Sequence, residues 1–127
     1  MDVWFVDMPG TRQAATDGHS NAWFDRKALQ VERRCNARHE QEHVLAGHDG
    51  CVGGTEESRI RYRAAQWLVQ DPHKVAEALI GAHLNIAAAA DHLWLDVPTM
   101  TARLDERFMH PAERALIHRL VDQELHP

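Results

Sequence analysis

The stretch Glu32-Arg33-Arg34-Cys35-Asn36-Ala37-Arg38-His39-Glu40-Gln41-Glu42-His43-Val44-Leu45-Ala46-Gly47 decides how this chain folds. It belongs to a run from Arg26 to Ala46 without Pro or Gly, and Gly47 follows where a helix would take its C-terminal cap. The run predicts a helix. Residues four apart share a helix face, so His39 and His43 can point two imidazoles at one ion. Zinc takes imidazole nitrogen readily, and its catalytic sites use three protein ligands plus a water. Glu40 lies about 100° round the helix from His39. It can therefore reach a water at the metal without ligating the metal, accept a proton and later pass it to a leaving amine. The spacing His39-Glu40-Gln41-Glu42-His43 is a known metallopeptidase signature. The competing reading is a solvated helix in which Glu40, Gln41 and Glu42 simply face water.

A third ligand has to come from elsewhere. The extended histidine pattern of one zinc-protease class needs a His six residues after His43, but that position is Asp49, and His48 is one residue early. A carboxylate from the next helix suits better, and Glu56 and Glu57 both follow the glycine-rich reversal containing Gly50, Gly53 and Gly54. Thr55 is the expected N-cap of that second helix, with Glu56 and Glu57 in the first turn and an end near Val69.

Outward from these two helices, residues 1–26 lack helical periodicity. Val3-Trp4-Phe5-Val6 and Ala22-Trp23-Phe24 read as two short strands separated by turn residues. Asp71-Pro72 opens a third helix. Asn85 to Trp94 and Pro98 to Phe108 read as short helices around the turn Leu95-Asp96-Val97, and His110-Pro111 starts a last helix ending near Leu125. The expected fold is one mostly α domain (α+β) spanning the 127 residues, with a small β element over 1–26, the zinc-site helices over 27–70 and helical hairpins over 71–127.

Composition narrows the function classes. A net charge of -5 argues against general phosphate-backbone binding, although Arg33-Arg34 and Arg59, Arg61 and Arg63 are local basic clusters. No apolar run approaches the roughly 20 residues that span a bilayer, and Met1-Asp2-Val3-Trp4 lacks the basic start of a secretory signal. Cys35 and Cys51 make no disulfide framework and read as free thiols in a reducing cytosol.

The stretch from Glu32 to His48 resembles the active-site helix of the ImmA/IrrE family metallo-endopeptidases, closest to their actinobacterial and actinophage branch, whose members share a Glu-Arg-Arg-Cys lead-in. Glu56-Glu57-Ser58-Arg59-Ile60-Arg61-Tyr62-Arg63-Ala64-Ala65 is similar to the segment that carries that family's third ligand, and alignment on Ala64-Ala65 puts the ligand at Glu57. Ala88 to Leu104 resembles the family's C-terminal helical segment, so the likeness covers roughly residues 20 to 118. The resemblance implies a zincin-like minimal fold, zinc on His39, His43 and Glu57, and Glu40 as the catalytic base. It also implies a protein substrate in the bacterial cytosol, typically a helix-turn-helix repressor that keeps a phage or mobile element silent. Two departures stand out. Arg61 occupies a position where the family often has Asp or Asn to orient a histidine, so another group must support the imidazole or the site is weakened. Glu42 stands where a small or apolar residue is common, and an exposed Glu42 is the simpler expectation.

Alternatives remain at this level. A metal-binding regulatory protein without turnover would share the same ligands. A closed site of Cys51, His39, His43 and a glutamate would be structural rather than catalytic. Cys35, one turn before His39, reads as a small buried residue rather than a ligand. His48 suits helix-end hydrogen bonding, or stabilisation of a developing oxyanion. Tyr62, the only tyrosine, could do the same from the second helix, but position five after Glu57 does not share its face, and a structural role is the better reading. Asn85–Leu104 has the length of a DNA-binding helix-turn-helix, but Pro98-Thr99-Met100-Thr101 lacks the basic and amide residues of a reading helix, with only Arg103 and Arg107 basic. A packed helical hairpin is the better reading.

Overall fold

The computed structural model describes residues 2–7, 14–16, 21–48 and 53–126. Among them, β1 (Asp2–Val6), β2 (Ala14–Thr16) and β3 (Asn21–Asp25) precede six helices: α1 (Arg26–Leu45), α2 (Gly54–Leu68), α3 (Pro72–Gly81), α4 (Ile86–His92), α5 (Val97–Arg103) and α6 (Pro111–Leu125). The strands form one sheet in the order β1-β3-β2. β1 runs parallel to β3 with Trp4 opposite Trp23, and β2 runs antiparallel to it with Ala15 opposite Trp23. The sequence announces β1 and β3 through their aromatic and β-branched runs. Ala14-Ala15-Thr16 carries almost no such signal, so β2 is an addition.

β3 passes directly into α1. Cys35, Glu42 and His43 are buried on this helix, and Val31 and His39 are half-buried, which is the spacing of one helical face. The N-terminal part of that face joins the core through Val31 and Cys35. Its C-terminal part is imidazole and carboxylate. Glu42 corrects the expectation of an exposed acid: it is 8% exposed and pairs with Arg38 at 2.5 Å. The Arg38 guanidinium in turn lies 4.1 Å from the centroid of the Trp67 ring, so α1 and α2 are joined by a charge pair stacked on an aromatic face. α1 ends in a Schellman turn. Gly47 has φ +79°, its N–H donates to Val44 O (3.0 Å), and the His48 N–H donates to His43 O (2.9 Å).

α2 begins two residues earlier than expected. Its N-cap is Gly53, at φ 73° and ψ 171°, with no side-chain capping bond; Thr55 lies inside the first turn instead. Only glycine adopts that backbone geometry without strain, so the glycine loop itself starts the helix. The later caps follow the sequence closely. Asp71, Asn85, Asp96 and His110 accept from the backbone N–H of His73, Ala88, Thr99 and Ala112 respectively. α5 ends at Arg103 rather than Phe108. The Asp105 side chain accepts from Arg107 N (3.1 Å) and pairs with its guanidinium, a local turn that competes with helix continuation. Those hydrogen bonds from Arg107 hold the Asp105 carboxyl below its ordinary range.

The core gathers Val69, Val75, Leu79, Ala89, Ala90, Leu95, Met100, Met109, Ile117 and Val121. α2 packs on α1 and α5, α3 on α6, and α4 on α5 and α3. Two arginines bind carbonyls just past the C-terminal ends of helices. Arg34 of α1 donates to Trp94 O at 2.5 Å, just beyond α4. Arg103 of α5, fully buried, donates from Nε to Val69 O at 2.8 Å and meets Glu113 of α6. Arg103 is therefore spent on the interior, and α4 and α5 pack against each other as a helical hairpin. No helix among the described residues is long and apolar enough to cross a membrane.

Candidate metal centre

α1 supplies His39 and His43 one turn apart, and α2 supplies Glu57 from its first turn, where the helix dipole favours a carboxylate. The three ligand atoms lie within 4.8 Å of one another. His39 Nε2 is 3.0 Å from His43 Nε2 and 2.8 Å from Glu57 Oε1, and His43 Nε2 is 3.0 Å from Glu57 Oε2. Tetrahedral bonds of about 2.0–2.1 Å would set ligand atoms roughly 3.3 Å apart, close to these edges. The donor set of two imidazole nitrogens and one carboxylate suits a divalent transition-metal ion, zinc among them. His43 is 2% exposed, and burying such groups is costly unless something satisfies them.

Glu56, the alternative third ligand, is turned away. It pairs with Arg59 at 3.1 Å and stands 3.8 Å from His48 Nε2. Glu57 is the carboxylate that the fold brings to the histidines, where the resemblance had placed it. Glu40 is exposed on α1 and lines a cleft of about 530 Å³ together with His39, Arg61 and, from the α5 side, Asp96, Thr99 and Ala102. His39 and Glu40 therefore look onto the same space, while His43 lies buried behind it. Cys35 also borders this cleft, but burial pushes its thiol pKa up, away from the thiolate that binds metal. Tyr62 is buried with its ring 6.0 Å from Phe108, a packing role. Cys51 and Asp49 lie outside the described residues.

The group that supports an imidazole is one the sequence did not single out for that task. His48 Nδ1 lies 3.2 Å from His43 Nδ1. For His43 to offer its Nε2 lone pair to an ion, its proton must sit on Nδ1, from which it donates to His48. The His48 proton then sits on Nε2 and faces the Glu56 carboxylate. The Schellman turn at Gly47 makes this possible, because a reversal brings position i+5 back over the helix end. With that tautomer His48 would take the orienting role that Arg61 cannot fill. Arg61 itself approaches Glu57 Oε1 through Nε at 3.6 Å. Replacing His48 by Ala is expected to weaken zinc binding by about 10–100-fold, measured by competition with a chromophoric chelator. An unchanged zinc affinity would show that His48 does not orient His43. Compared with protein-family models, curated proteins and solved structures, the chain matches none of them.

Proposed function

We propose that this chain is a zinc-dependent endopeptidase of the ImmA/IrrE type, acting in the cytosol on a protein substrate such as a helix-turn-helix repressor of a phage or mobile element. The observation that carries the metal reading is the convergence of His39, His43 and Glu57 within 4.8 Å, beside a cleft that also holds Glu40. The peptidase class, the repressor and the compartment rest on the sequence resemblance.

Zinc held by the three ligands would acidify a bound water and polarise the scissile carbonyl. The protein's own part follows from its geometry. His43 is kept in one tautomer by His48, and Glu57 reaches both histidines from the neighbouring helix. Glu40 stands clear of the ligand set on the cleft wall. It takes the proton of the water whose oxygen bonds to the carbonyl carbon, then delivers that proton to the amine nitrogen as the C–N bond breaks. Metal analysis provides the direct test. The wild-type chain is expected to carry one zinc per molecule, and His43→Ala is expected to carry almost none. A wild type without stoichiometric zinc after purification and reconstitution would end this reading.

A further inference from the structure

The cleft beside the histidines contains a cation that the peptidase chemistry does not use. Arg61 lies four residues after Glu57 on α2, hence on the same helical face. Its side chain is 56% exposed, although it reaches to 3.6 Å from Glu57. That separation exceeds a hydrogen bond, and the approach is made through Nε, on the stem side of the guanidinium. Among the described residues its ion-pair partner is Glu57, met through Nε and beyond hydrogen-bond reach. Glu57 faces the two histidines, and Asp96 is committed to capping α5 through the Thr99 N–H at 2.9 Å. Glu40 is needed as a proton carrier. A guanidinium is always charged, and its planar fork matches a carboxylate in two parallel hydrogen bonds.

We propose that Arg61 is a specificity residue that selects peptides carrying a carboxylate beside the scissile bond. The inference rests on the peptidase reading above and deepens it by naming the substrate class. The carboxylate has two possible sources: an Asp or Glu side chain within the peptide, or a free C-terminus. In either case the guanidinium anchors the anion at the cleft wall while Glu40 and the zinc ligands face the adjacent peptide bond.

Equilibrium binding to zinc-loaded Glu40→Gln protein tests this without relying on turnover. Three fluorescent peptides of equal length are compared by anisotropy. One is neutral and capped at both ends, one is capped but carries internal Glu residues, and one is neutral with a free C-terminal carboxylate. At least one carboxylate peptide is expected to bind about tenfold more tightly than the capped neutral one, and which one does so identifies the source. Adding Arg61→Gln is expected to bring that ratio close to one, while Arg61→Lys keeps part of it. Equal binding of all three peptides, or a preference that survives Arg61→Gln, overturns the proposal. If the wild type holds zinc and cleaves in a Glu40-dependent way, such a result removes the Arg61 assignment alone. If it holds no zinc, both readings fall together.

Discussion

Glu40→Gln is expected to leave zinc content at the wild-type level while reducing peptide cleavage by roughly 10²–10⁴-fold, the range for loss of a positioned general base. The separation of the two effects follows from where Glu40 sits. It is exposed on the cleft side of α1, and the ligand group consists of His39, His43 and Glu57 without it. Gln is close to isosteric with Glu and also prefers helix, so α1 should keep its shape. The amide cannot take a proton from water at neutral pH. Cleavage rates at saturating peptide, read beside zinc stoichiometry, check both parts. A variant that cleaves at the wild-type rate would remove Glu40 from the chemistry. A variant that loses zinc would make Glu40 part of the ligand set.

The second large effect concerns stability. Arg103→Ala is expected to destabilise the fold by about 3–5 kcal/mol, the usual cost of breaking a buried ion pair from one side. Arg103 has 0% exposure, and its removal strips Val69 O of its Nε donor and leaves Glu113 facing the interior without its cation. For a chain of this size the thermal midpoint should fall on the order of 10 °C, measurable by circular dichroism. The pair is close rather than well aligned: Arg103 Nη1 and Glu113 Oε1 lie 2.5 Å apart without hydrogen-bond geometry. Replacing both by apolar residues, as Arg103→Met with Glu113→Leu, is therefore expected to recover most of the loss. A single Arg103→Ala variant that melts like the wild type would show that the pair contributes nothing net.

The elements legible from sequence are those whose signals are local. α1 reads from a run without Pro or Gly and a terminal Gly47, and α3 reads from the cap at Asp71; α4 and α5 read from the turn between them, while the capping bonds of Asn85 and Asp96 appear only in the structure. His39, His43 and the Glu56–Glu57 pair are legible because one helix period and one reversal suffice to bring them together. Choosing Glu57 over Glu56 took the family resemblance. What sequence alone does not yield depends on backbone geometry or on partners distant along the chain. Glu42 looks solvent-facing until Arg38 is seen lying on Trp67. Gly53 replaces Thr55 as a cap because its backbone lies in a region glycine alone enters freely. The support of His43 by His48 has no periodic signature, since five residues do not return to the same face of a straight helix. Only the turn after Leu45 brings them together.

The polar inner face of α1 has a thermodynamic consequence. Where two packed helices would ordinarily share aliphatic side chains, α1 and α2 meet in part through two imidazoles and a carboxylate. An ion bound there cross-links elements 14 and 18 residues apart in sequence, and does so only in the native arrangement. Binding to the folded state alone adds stability in proportion to the logarithm of free zinc over its dissociation constant, about 2.7 kcal/mol at a hundredfold excess. Folding and catalytic competence would then draw on the same pool of metal. A cell short of zinc would hold fewer intact copies of this chain as well as fewer active ones.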